Sequence, residues 1–188
     1  LEQYGDTIAP GDVFIGNDPH VAGGTHLPDI NLAMPVFADG ALIGFVANIV
    51  HHADVGGAAV GSMSGGLDEI YKEGLRIPIV RLYNAGVLQD DILRLLLLNM
   101  RLTEERKGDL NAQIAAARLG TNRVEDIIQK TGAGQLCVVF EQIITSTHRR
   151  LRHAITALPD GCYTFSDKMD DDGASIIDLG GESSKPGA

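Results

Sequence analysis

Cysteine is scarce: Cys137 and Cys162 are the only two in 188 residues, and they show no CxxC spacing. No cysteine metal or redox motif is present, so a reduced cytoplasmic setting is the expectation, with both thiols read as buried, apolar-like side chains. Long apolar runs are also missing. The stretch Leu95 to Leu98 is among the longest, against the roughly 20 residues a membrane helix needs. Basic residues are in deficit, 15 Lys and Arg against 25 Asp and Glu, for a formal charge of −10. With no basic block, nucleic acid is excluded as an expected partner. There is no Gly-x-x-x-x-Gly-Lys-Ser/Thr, and the glycine clusters lack a following Lys, so no phosphate-binding loop can be read. The chain opens at Leu1 without a basic and then apolar leader, so no signal peptide is read and the start is expected to be missing.

What is present suits a soluble globular protein, with 44% hydrophobic and 21% charged residues. The 23 glycines crowd into Gly16 to Gly24 and Gly56 to Gly66, which reads as backbone shaped around a site. Short apolar runs at Val13 to Ile15, Asn31 to Phe37 and Leu42 to Val50, with Ala38-Asp39-Gly40 as a hairpin turn, predict strands. Asp90 to Met100, and a start at Thr103 with Glu104 and Glu105 in its first turn, predict helices. Gly108 and Gly120 argue against one unbroken helix there. Leu136, Phe140, Ile143, Ile144, Leu151, Ile155 and Leu158 recur at helical spacing until Pro159-Asp160-Gly161, after which Tyr163 and Phe165 alternate as in a strand. The expected fold is α+β. A β-rich part with the His/Asp motifs covers 1–101, a helical part 102–160, a further β segment begins over 161–172, and an atypical tail covers 173–188.

Two clusters carry chemistry. Asn17-Asp18-Pro19-His20 through Thr25-His26-Leu27-Pro28-Asp29 follows one apolar strand, and His51-His52-Ala53-Asp54-Val55-Gly56-Gly57 ends another. Strand ends and loops are where ligands are displayed. Imidazole with carboxylate suits Mn, Fe or Zn, whereas Ca and Mg prefer all-oxygen sets, and since imidazole also suits Ni the residues by themselves do not pick the metal. In an extended strand adjacent His51 and His52 point to opposite faces, so one reaches an ion while the other packs or hydrogen-bonds behind it. The bland alternative is that these residues merely satisfy turns.

The order Asn-Asp-Pro, Gly-Gly-Thr-His-Leu-Pro-Asp, His-His-Ala-Asp-Val-Gly-Gly and Gly61-Ser62-Met63 resembles the B-type subunits of N-methylhydantoinase, 5-oxoprolinase and acetone-type carboxylases. The pattern continues through Glu69 to Pro78, Asn99-Met100-Arg101, Gly108 to Gln113 and Leu158 to Gly161, so it covers about residues 1 to 172. The resemblance implies an ATP-dependent enzyme in which an A-type partner handles the nucleotide and the B-type part holds a divalent metal. The substrate would be a small cyclic amide, hydrolysed with metal assistance. It marks Asp18, His26, Asp29, His51, His52 and Asp54 as metal or catalytic candidates, with Asp18, His26 and one of the paired histidines foremost. Glu69, Glu73 and Arg76 follow, as base and anion clamp, against the reading of a solvated helix face.

His20, Ile49 and Val60 depart from the family's more common aromatic, basic and proline residues, which touches substrate contacts and loop shape. Two alternatives accompany this reading: a carboxylase subunit of the same family, and a non-catalytic fragment that only binds its partner. Residues 173 to 188 resemble a segment of dihydropteroate synthases, but sixteen residues cannot form a barrel of about 250. The chain is expected to be a piece of a larger subunit, inactive alone and with apolar faces uncovered.

Overall fold

A computed structural model of the chain describes residues 2–169 and 177–184, with side chains described to residue 166. It divides into two compact units, Leu1–Cys137 and Val138–Ala188.

The first unit is built on a five-stranded antiparallel sheet. Its strands are β1 (Val13–Gly16), β2 (Asp29–Ala38), β3 (Ala41–His51), β4 (Val80–Asn84) and β5 (Val87–Leu88), in the order β3-β2-β1-β4-β5. Strand β2 shows why the sheet has two different faces. Ile30, Leu32 and Met34 are buried in the core, while Asp29, Asn31 and Ala33 point the other way, the two-residue period of an extended chain. The Asp39-Gly40 turn joins β2 to β3 with φ of 50° and 80°, the double positive-φ geometry of a tight hairpin. Ala85-Gly86 repeats it between β4 and β5, a hairpin that the apolar pattern did not announce because β5 is only two residues long.

Helix α1 (Ile70–Glu73) lies between β3 and β4 in the chain, and α2 (Asp90–Leu98) and α3 (Thr103–Thr131) follow β5. On α3 the buried residues are Arg106, Leu110, Gln113, Ile114, Ala117 and Thr121, a stripe at helical spacing that packs beneath β2 and β3. The helix runs unbroken through both glycines, contrary to the expected interruption. Gly120 has a packing reason: a Cβ there would lie 2.7 Å from Val46 Cγ1 on β3. Gly108 has open space and no such reason.

Helix α4 (Ala133–Thr156) begins in the first unit, where Leu136 is buried, and continues in the second. There Phe140, Ile143, Ile144 and Leu151 are exposed. Cys137 and Cys162 are exposed as well, correcting the expectation of burial. Cys137 lies next to Leu136, where the packed part of α4 ends, so its apolar character finds no pocket. Strand β6 (Cys162–Met169) pairs antiparallel with β7 (Ile177–Ser184). The acidic run 170–172 and the tail positions 173–176 and 185–188 lie outside the described residues. Among the described residues no helix is long and apolar enough to cross a membrane.

Candidate functional site

The β2–β3 register sets the geometry. Asp29, the first residue of β2, lies directly opposite His51, the last of β3. Directly opposed residues on one sheet face bring their side chains together. His26 joins them because the chain turns just before β2, with the Asp29 amide donating to the His26 carbonyl at 3.2 Å. The result is a near-equilateral group. His26 Nε2 is 3.0 Å from Asp29 Oδ1, His51 Nδ1 is 3.1 Å from the same oxygen, and the two ring nitrogens are 3.1 Å apart. Asp29 is the least exposed of the three. Its partial burial would push the carboxyl up, but hydrogen bonds from His26 and His51 outweigh that and hold it below its ordinary value. Among the described residues this is the one cluster of three His, Cys, Asp or Glu side chains able to share an ion.

His52 points to the opposite face, as the alternation required, and is 1% exposed. Its Nε2 lies 3.1 Å from Gln113 Oε1 on α3, and Gln113 Nε2 donates to the Ile30 carbonyl at 2.8 Å. The backbone amide of His52 also donates to the Pro28 carbonyl at 2.8 Å. Gln113 therefore clamps the residue after Asp29 and the residue after His51 from behind the sheet. Burial lowers the His52 pKa, with the Gln113 hydrogen bond and Asp109 opposing, so the ring sits neutral in the core.

Asp54 is the hub of the glycine-rich loop. Its carboxylate, 3% exposed, accepts from the amides of Gly56 at 2.8 Å, Gly61 at 2.9 Å and Arg101 at 3.1 Å, and from Arg101 Nη1 at 3.0 Å. Burial pushes its pKa up, but these donors prevail and bring it to about 2. Arg101, missed as a site residue by sequence reasoning, also donates to the carbonyls of Gly57 and Ala59. The Asn99-Met100-Arg101 motif was its only signal.

Asp18 does not join the triad either. It accepts from the His20 amide at 2.9 Å and from Arg76 Nη2 at 2.6 Å. The amide first and the guanidinium second hold its carboxyl below the usual range. Arg76 also lies over the Tyr71 ring at 5.5 Å. The neighbouring Asn17 is buried and ties together Leu27, Leu75 and Ile77, so the Asn-Asp segment staples the 17–28 loop to the 74–77 segment. Glu69 is exposed and 3.8 Å from Lys72, and Glu73 ends α1 half-buried. Neither is in the His26–Asp29–His51 group.

Two imidazoles and one carboxylate converging at the end of a strand pair on a sheet define a candidate metal centre of the two-His, one-carboxylate kind. Known proteins supply the lineage. A family model described as hydantoinase B/oxoprolinase matches residues 1–180, and the chain belongs to that family. It is 37% identical over 172 residues to the B-type subunit of a putative D-/L-hydantoinase from a Pseudomonas species, covering 90% of this chain and 29% of that protein. The acetophenone carboxylase delta subunit of Aromatoleum aromaticum is 30% identical, with 90% and 25% covered. The crystal structure of the ATP-dependent caprolactamase from Pseudomonas jessenii superposes with a TM-score of 0.85 at 34% identity, covering 90% of this chain and 29% of that one. The chain thus spans under a third of the length of these relatives.

Proposed function

We propose that this chain is the metal-bearing part of an ATP-dependent cyclic-amide hydrolase of the 5-oxoprolinase and N-methylhydantoinase type. In this reading His26, Asp29 and His51 hold one divalent ion, and an A-type partner subunit or domain handles ATP. The observation that carries it is the triangle of ligand atoms with edges of 3.0, 3.1 and 3.1 Å. Separations of about 3 Å are short enough for all three atoms to bond one ion, and two imidazoles with a carboxylate suit Mn, Fe or Zn.

When bound, such an ion polarises a carbonyl or makes water a better nucleophile near neutral pH. The protein's own residues supply orientation. Asp29 stays ionised because two imidazoles face it, and Gln113 and His52 fix the backbone of both ligand-bearing strands. Arg76, paired with Asp18 and one-third exposed, stands beside the loop that carries His26, where a guanidinium could clamp an anionic group of the substrate.

The resemblance to the acetophenone carboxylase delta subunit supports a second reading, a carboxylase that adds a carboxyl group to a ketone-derived intermediate. Elemental analysis of the purified chain, beside a His26→Ala/His51→Ala variant, tests the metal site: about one equivalent lost in the variant is expected. Equal and negligible metal in both would favour a partner-binding fragment instead. In the full complex, ATP-dependent ring opening without bicarbonate separates the hydrolase from the carboxylase.

A further inference from the structure

Strand β3 is an edge of the sheet, paired with β2 on one side and with no strand on the other among the described residues. From Gly44 to His51 its ladder with β2 is regular, and the one irregularity leaves Ile43 without an opposite residue at the hairpin end. Those eight positions read Gly-Phe-Val-Ala-Asn-Ile-Val-His, with no Pro, Asp, Glu, Lys or Arg. Proteins commonly guard an open edge with charge, proline or bulges. Along this stretch β3 has none of them, and Phe45 and Ile49 are 38% and 52% exposed.

The edge is complementary to itself. Antiparallel pairing of two copies about Ala47 sets Phe45 opposite Ile49 twice, an aromatic against a β-branched side chain. Both lie on the sheet face that carries His51, where they alternate with the α3-facing residues Val46 and Asn48. The helix beneath agrees with this register. Gly120 of α3 faces Val46, and the Gln113 carbonyl accepts from Asn48 Nδ2 at 3.0 Å, so α3 runs antiparallel to β3 with Ala116 level with Ala47. Because α3 packs beneath β2 and β3, joining two edges at the usual strand spacing brings the two α3 helices to about 10 Å, near the ordinary distance of packed helices. Ala112 and Ala116 are small and exposed, which permits that approach. Charge matches too: centring on Ala116 puts Asp109 of one copy against Arg123 of the other, and both side chains reach solvent.

We infer that β3 is a self-association edge, through which two copies of this chain pair about Ala47 into one continuous sheet with their α3 helices side by side beneath it. The arrangement is a two-fold in which the same patch serves both copies. The uncharged edge, the Phe45–Ile49 pairs and the Asp109–Arg123 pairs select a second copy as the partner. Pairing also brings the hairpin end of the second copy next to His51. The inference does not depend on a metal being bound.

The test is sedimentation velocity on the full chain over a concentration series, with circular dichroism of every sample. A species of twice the 20.0 kDa chain mass is expected. Ala47→Lys, which opposes two ammonium groups at the two-fold axis, should weaken association at least tenfold and leave the circular dichroism unchanged. Cross-linking reads the register in a background where the exposed cysteines are removed by Cys137→Ser and Cys162→Ser. There Ala47→Cys should oxidise to a covalent dimer. Ile49→Cys should not, because its Cα would lie about 13 Å from its own mate, and a disulfide needs under about 7 Å. Helix α4 carries exposed Ile144 and Leu151 as a rival surface, so Ile144→Glu with Leu151→Glu should leave the dimer intact. A monomer at every concentration, a dimer indifferent to Ala47→Lys, or a dimer abolished by the α4 pair would overturn the inference. Covalent dimer from Ile49→Cys but not from Ala47→Cys would overturn the register on which it stands.

Discussion

Replacing Asp54 by Asn keeps the side chain's shape and removes its charge, so it isolates what the carboxylate contributes to the loop at 54–62. Asp54 titrates at about 2 in the fold, against about 3.9 in an unfolded chain. That depression corresponds to about 2–3 kcal/mol of stability from the ionised form. The amide also turns one acceptor into a donor facing Gly61 N–H and Arg101, or Gly56 and the Arg101 amide, according to its flip. With a mispaired buried donor adding about 1–3 kcal/mol, the total loss at pH 7 should be about 3–6 kcal/mol. The pH dependence has a definite sign. A carboxyl with depressed pKa stabilises fully above its unfolded value and loses that contribution as pH falls through its folded value, so the window is pH 5 down to about 2. At pH 3 about half of the charge-dependent part should be gone. Urea unfolding of wild type and Asp54→Asn at pH 7, 5 and 3, followed by circular dichroism, measures this. A gap under about 1 kcal/mol at pH 7, or a gap that does not shrink between pH 5 and pH 3, would refute the hub role.

Four further outcomes are expected. Gln113→Leu should weaken binding of the proposed metal at least tenfold by isothermal titration, because it releases the backbone behind both Asp29 and His51 while leaving the ligands themselves in place. His52 is buried with its pKa lowered, so folding stability should fall as pH drops below about 6.5, the unfolded value, as protons favour the open chain; His52→Asn should flatten that slope in thermal unfolding between pH 7 and 5. Gly56→Ala should cost more than about 2 kcal/mol, since φ is +92° and the new Cβ would lie 2.3 Å from the Asn99 carbonyl oxygen. Gly65→Ala, with nothing within 4 Å, should change stability by under about 0.5 kcal/mol in the same denaturant titration.

The sequence by itself determined the α+β class and most element positions, because apolar periods of two and of about 3.6 are local properties. Asp39-Gly40 announced its hairpin through the positive φ that both residues adopt easily. The order of His, Asp and Gly motifs identified the family, and strand alternation already required His51 and His52 to face apart. Which of them turned outward was decided only by the pairing of β3 with β2, for register is set across strands and not along one. The same pairing put Asp29 against His51 and left Asp18, foremost in the sequence reading, to an arginine 58 residues away. Arg101 and Gln113 were illegible as site-shaping residues for a like reason. Their partners lie 42 to 83 residues distant, and a long-range hydrogen bond leaves no periodic mark in the sequence that makes it.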